Sequence, residues 1–200
     1  MAEDSIQVLE AGDEAPAFDL RGTDGERYGP ADFDDAEALL VVFTCNHCPY
    51  AKAKEGALNA IAADYDDDEV AVVGINPNDA GEYPEDSFER MREHVESGRI
   101  DFDAYLRDDT QAVAAAYGAV CTPDPYLFRN EGGAFRLAYH GRLDDALNPD
   151  DEPSGEPGFE IRRAIESVLA GEPVDLDWHP SRGCSIKWSP GNEPDYWSEV

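Results

Sequence analysis

Val41-Val42-Phe43-Thr44-Cys45-Asn46-His47-Cys48-Pro49-Tyr50 sets a CxxC pair between an apolar run and a proline. The run from Leu39 to Thr44 reads as a buried strand, and Ala53, Ala57, Ile61 and Ala62 recur at roughly helical spacing across Ala51 to Tyr65. The pair therefore falls on a strand-to-helix turn. Half of a zinc site has the same spacing, but in a reducing compartment this setting favours a redox pair. Pro49 ranks the two thiols. Proline suits the first helical position, where its missing N–H would be unpaired anyway, and it holds the preceding residue extended. Cys48 is then the N-cap, facing free N–H groups and the positive end of the helix dipole, which favour thiolate. A helix starting at Cys45 would put Pro49 at its fourth position, where ring and lost N–H both count against it. Cys45, in the loop just before, is placed to close a disulfide with Cys48. His47 adds positive charge when protonated.

Outward from this turn, the pattern is that of one α/β domain. Ala17 to Tyr28 reads as a hairpin about Gly22-Thr23-Asp24-Gly25, and Val70 to Ile75 as a second buried strand. Asp86, with Glu89 three residues on, is expected to cap a helix stopped at Gly98. A further helix is expected from Asp109 to Gly118, a hairpin from Tyr126–Phe128 and Phe135–Tyr139 across Gly132-Gly133, and a last helix from Ile161 to Leu169. Strands that alternate with helices imply a mixed sheet covered on both faces. Residues 1–171 form the expected domain. The Pro-, Gly- and acid-rich stretch Asn148 to Gly158 reads as a solvated insertion, and Asp66-Asp67-Asp68-Glu69 as a solvated turn. The tail 172–200 carries Trp178, Trp188 and Trp197 and is expected to pack on the domain.

With Thr122-Pro123-Asp124 and Gly183-Cys184-Ser185-Ile186-Lys187-Trp188 added to the CxxC segment, nearly the whole chain resembles the peroxiredoxin-like redoxin (alkyl hydroperoxide reductase/thiol-specific antioxidant) branch of the thioredoxin superfamily. The resemblance implies a thioredoxin-like fold in which Pro123 follows a cis bond after Thr122 and packs near the active cysteine. Peroxiredoxins also place a Thr three residues before the peroxidatic cysteine and an Arg in a later strand. Cys45 and Pro123 stand at those places here, which weakens the case for peroxide chemistry and leaves disulfide exchange. Asp144-Asp145 after Arg142 is also similar to a family feature, without an evident physical role.

The expected site is thus Cys48 as nucleophile and Cys45 as resolving thiol, with His47, Thr122 and Pro123. Cys121 and Cys184 are possible additional thiols, each read more readily as packing. His94, His140 and His179 have no ligand spacing to the pair, and Asn76, Asp79 and Tyr83 read as turn residues after the second strand. The reaction expected is thiol–disulfide exchange without a cofactor or metal, on a protein or small-molecule disulfide, with a thiol as electron donor. The alternatives are a thiol peroxidase and a protein that holds copper or zinc with Cys45, Cys48 and a histidine.

Charge narrows the rest. Forty-five Asp and Glu face fifteen Lys and Arg, a net charge of -30, in a chain of 200 residues of which 42% are hydrophobic. That acidity speaks against nucleic-acid partners and anionic membranes. Met1 to Glu10 lacks the basic and apolar regions of an export signal, so a cytoplasmic location is expected. Four cysteines are too few for a disulfide scaffold. Self-repulsion of this size loosens a compact state, but at ~1 M salt the Debye length shrinks to about 3 Å, so the composition reads as adaptation to a very salty cytoplasm. Tm is expected to fall by roughly 10 °C between about 3 M and about 0.1 M KCl, followed by circular dichroism; equal values would reject the habitat reading.

Overall fold

The computed structural model describes residues 1–200, the side chain of Glu199 excepted. In chain order the elements are β1 (Ala2–Asp4), β2 (Leu20–Gly22), β3 (Arg27–Tyr28), β4 (Ala38–Phe43), α1 (Pro49–Asp64), β5 (Val70–Asn76), α2 (Phe88–Glu96) and β6 (Ala104–Arg107). There follow α3 (Ala112–Tyr117), β7 (Cys121–Thr122), β8 (Asp124–Glu131), β9 (Ala134–His140), α4 (Phe159–Leu169) and β10 (Arg182–Ser185). The main sheet runs β3-β2-β6-β5-β4-β8-β9, with β4, β5 and β6 mutually parallel and the other pairs antiparallel. A second, three-stranded sheet runs β1-β10-β7.

β4 shows why this sheet needs cover on both sides. All six of its residues are buried, and their side chains alternate between two cores, as strand geometry requires. Leu39, Val41 and Phe43 point into a cluster with Tyr117 of α3, Tyr126 of β8 and, from the tail, Ile186 and Trp188. Ala38, Leu40 and Val42 point the other way, against Leu58 and Ile61 of α1 and Ile161, Ala164, Ile165 and Val168 of α4. The strand's carboxyl end, between these layers, is where α1 begins.

Several boundaries differ from expectation for local reasons. The helix expected to start at Asp86 starts one residue later: the Ser87 side chain accepts the Arg90 N–H, and the Asp86 carboxyl is turned inward and buried. Pro84 opens a 3₁₀ turn over Pro84–Asp86 that makes this rotation. The helix expected from Asp109 begins only at Ala112, because Gln111 sits in the left-handed region at φ 62°. Its side-chain amide donates to Pro77 O and Lys187 O, and its carbonyl accepts the Ser189 N–H, so tertiary bonds override the helical pattern there. Strand β6 is only four residues long and is preceded by acids, a pattern too short to declare itself. Trp188 is buried and meets the partly buried Trp197 at 6.1 Å, while Trp178 is 42% exposed. No helix is long and apolar enough to cross a membrane among the described residues.

The tail strand β10 lies between β1 and β7, with Cys184 opposite Thr122. This approach requires glycine at position 183, where a Cβ would come within 1.9 Å of the Thr122 carbonyl oxygen and 2.4 Å of its carbon. These are backbone atoms and cannot swing away. Gly183→Ala is therefore expected to push β10 off β7 at a cost of about 1–3 kcal/mol and to speed amide exchange in β10; unchanged exchange and stability would contradict this packing.

Candidate active site

Pro49 is the first residue of α1, and Cys48, at φ -69° and ψ 126°, is its N-cap. Both thiols of the pair are shielded, Cys48 at 0% exposure and Cys45 at 2%. The Cys45 sulfur is 3.1 Å from Thr122 Oγ1, and the Cys48 sulfur is 3.5 Å from the Thr122 carbonyl oxygen. The Thr122-Pro123 bond is cis, as the resemblance implies. All four cysteines are free thiols.

The thiols are unequal. Cys48 is pushed well below the ordinary cysteine value, first by the neighbouring Cys184 thiol and next by that of Cys45, with help from the Ala51 N–H in the first turn of α1; burial opposes the shift and loses. Cys45 goes the other way, held up by burial, by its bond to Cys48 and by the nearby Asp86. Of the two, Cys48 is the thiol whose surroundings favour the thiolate. A sulfur at a helix N-terminus with two thiol donors is stabilised as thiolate by the same donors that would serve any anion there.

His47 is held by Asp86, with Nδ1 2.5 Å from Oδ2, and stacks on the Tyr83 ring at 4.9 Å. Asp86 is buried, yet its carboxyl lies below the usual range: burial would raise it, but bonds from His47, Asn78 and the Asn46 N–H outweigh that cost. Asn46 N–H and Asn76 Nδ2 reach one oxygen at 2.6 and 3.2 Å, and Asn78 Nδ2 reaches the other at 2.9 Å. Arg107 then ties together the Asn76, Asn78 and Asp86 carbonyls, while the Tyr105 hydroxyl donates to Asn46 Oδ1 at 2.9 Å. The effect is to clamp the two residues between the cysteines. This clamp escaped the sequence reading. Asp86 has a cap-like neighbourhood, and Asn76 looks like an ordinary turn residue; the one available signal was polar side chains at the carboxyl end of a buried parallel strand.

Among the described residues Cys45, His47 and Asp86 bring a sulfur, a nitrogen and an oxygen all within 4.8 Å of one another. That set differs from the expected Cys45, Cys48 and histidine. Both Asp86 oxygens are already taken by four N–H donors and the Cys45 sulfur by Thr122, so the arrangement is a hydrogen-bonded His–Asp pair complete without a cation.

Of the remaining candidates, Cys121 is buried, pushed up by that burial, and its sulfur lies 3.8 Å from the Pro123 carbonyl oxygen. Cys184 is different, for it is partly exposed and packs beside Cys48. His140 is buried beneath the site, with Nε2 3.0 Å from Asp124 and its ring stacked on Tyr126. His94 and His179 lie apart from the thiols. Asp144 does acquire a role: it pairs with Lys54 of α1 and accepts the Ala146 and Gly158 N–H groups, pinning the 148–158 loop to that helix.

The AhpC/TSA family profile matches residues 11–138, which include the CxxC turn and the cis proline. The chain belongs to the AhpC/TSA family. An uncharacterized conserved protein from Geobacillus kaustophilus is 40% identical and superposes with a TM-score of 0.87 over 96% of this chain and 98% of that one. A hypothetical protein from Sinorhizobium meliloti is likewise 40% identical, with a TM-score of 0.86 over 94% of this chain and 99% of that one. Peroxidoxin BcpB from Mycobacterium tuberculosis, at 13% identity and a TM-score of 0.58 over 81% of this chain and 97% of that one, shares the fold. No curated protein sequence matches. The architecture is thioredoxin-like, and membership in this family makes the chain a redox protein of that fold.

Proposed function

We propose that this AhpC/TSA chain is a thiol–disulfide oxidoreductase in which Cys48 attacks and Cys45 resolves. The observation that carries the reading is the position of Cys48 at the cap of α1, with Pro49 first in the helix, which favours its thiolate over that of Cys45. Cys48 Sγ attacks one sulfur of a substrate disulfide; the S–S bond breaks and its electron pair leaves with the other sulfur. Cys45 then loses its proton to the departing thiolate and attacks Cys48 Sγ, releasing the second substrate thiol. Two electrons pass to the substrate, and a thiol donor returns them. The order is the reverse of thioredoxin, where the earlier cysteine attacks, and Pro49 is the reason. His47, clamped on Asp86, is held beside Cys45, and the Thr122 hydroxyl orients the Cys45 sulfur.

A second reading is favoured by the family match: Cys48 reduces a peroxide, becomes a sulfenic acid, and Cys45 condenses on it with loss of water. Cys45 stands in this reading where the family's peroxide-binding threonine is expected, so a hydroxyl donor to the departing oxygen is missing. Free cysteines suit a reducing compartment, and with this acidity we place the protein's work in a salty cytoplasm. The domain of residues 1–171 and the tail 172–200 act together, the tail supplying Cys184 beside Cys48.

The test is a direct comparison of pre-steady-state rates in molar salt. Reduction of 2-hydroxyethyl disulfide is expected to outpace reduction of hydrogen peroxide by about tenfold or more, and Cys48→Ser to abolish both. Faster turnover of peroxide would overturn the reading in favour of the second, and full activity of Cys48→Ser would overturn both.

A further inference from the structure

A two-thiol scheme leaves Cys184 unused. It lies in β10, opposite Thr122, and its side chain packs against the cluster of Cys45, Cys48 and Ala51. Of the three sulfurs that meet here, Cys48 and Cys45 are closed to solvent and Cys184 alone is partly open. Its place is built, not incidental. Gly183 lets the strand touch the Thr122 carbonyl, the Ile186 N–H reaches Val120 O at 2.9 Å, and the Ser181 hydroxyl donates to Pro123 O at 2.6 Å. The tail is thus bonded to the backbone on both sides of the cis bond, which holds its thiol in the cluster that contains Cys48.

Resting on the reading that Cys48 attacks disulfides, we propose that Cys184 is a second resolving thiol, which takes the mixed disulfide off Cys48 ahead of Cys45 through a transient Cys48–Cys184 disulfide. Cys184 gives its proton to the first departing thiolate and attacks Cys48 Sγ. The bond from Cys48 to the substrate sulfur breaks, and that sulfur leaves with the electron pair and is protonated by solvent. Cys45 next attacks Cys48 Sγ, and Cys184 departs as a thiol, carrying the proton that Cys45 released. The external disulfide is the oxidant throughout, and a dithiol returns the electrons from Cys45–Cys48.

The order of the two resolving steps follows first from access, since Cys45 is buried with its sulfur bonded to the Thr122 hydroxyl while Cys184 is partly exposed, and then from what holds each thiol protonated. Cys45 is held chiefly by burial, which persists when Cys48 is tied up in a mixed disulfide. Cys184 is held chiefly by its hydrogen bond to Cys48, which disappears at that moment, and Lys187 nearby favours its thiolate. Attack by Cys48 therefore releases Cys184 as a nucleophile first.

Full-length Cys45→Ser and Cys45→Ser/Cys184→Ser, each treated with 2-hydroxyethyl disulfide and mapped by mass spectrometry, test this. In the single variant the hydroxyethyl adduct on Cys48 is expected to decay into a Cys48–Cys184 disulfide at least about tenfold faster than it decays in the double variant. Equal adduct lifetimes would overturn the role of Cys184 while leaving attack by Cys48 in place. No adduct in the double variant, together with no Cys48–Cys184 bond in the single one, would overturn attack by Cys48 itself. Wild-type chain quenched in acid after seconds is expected to show Cys48–Cys184 before Cys45–Cys48; Cys45–Cys48 alone at every time would overturn the proposal even if a variant folds poorly.

Discussion

The site depends on where α1 is allowed to begin. A proline has no N–H to donate and a fixed φ, so Pro49 can open the helix but cannot sit within it, and Cys48 becomes the cap. β4 ends six residues earlier, at Phe43. Between them Thr44 to His47 must turn sharply in the interior, with backbone groups that need partners. The Asn46 N–H finds Asp86, its side chain finds Glu85 and Tyr105, and the Thr44 N–H finds Ile75 O. Asp86 is the price of that turn. A buried carboxylate is tolerated because four N–H donors surround it, and removing one partner from such a set costs more than the pair gains in isolation.

A charge on Cys48 needs the same kind of compensation. Its sulfur is closed to solvent and close to the Thr122 carbonyl, which by itself disfavours an anion; two thiols and the first turn of α1 tip the balance the other way. The thiols form a cluster, and the cluster is completed by a strand from the far end of the chain. Fold and chemistry are linked here through Gly183, the residue that lets β10 come so close.

Much of this was legible in the sequence because it was written locally. The cap at Cys48, the buried alternation of β4 and the helix stop at Gly171 each follow from a few adjacent residues, and the cis bond at Pro123 from the resemblance. What was not legible was held by distant partners. Asp86 looks like a helix cap until His47 and the asparagines 76 and 78 are brought to it by the sheet, and the N-terminus of α3 shifts because Gln111 is captured by the loop at Pro77 and by the tail. Cys184 gave no local sign of its position, since a strand of four residues paired with two still shorter ones has no periodicity to read.

The central claim is that Cys48, not Cys45, holds the thiolate. Alkylation of the reduced wild-type chain by iodoacetamide, resolved cysteine by cysteine by mass spectrometry, measures this at each pH. The rate at Cys48 is expected to stay nearly flat between about pH 5 and about pH 8, because a group with a lowered pKa is already ionised there, while the rates at Cys45 and Cys184 climb roughly tenfold per pH unit as ordinary or raised thiols do. Burial slows every rate without changing those slopes. A flat profile at Cys45 with a steep one at Cys48 would contradict the account and exchange the roles of the two cysteines.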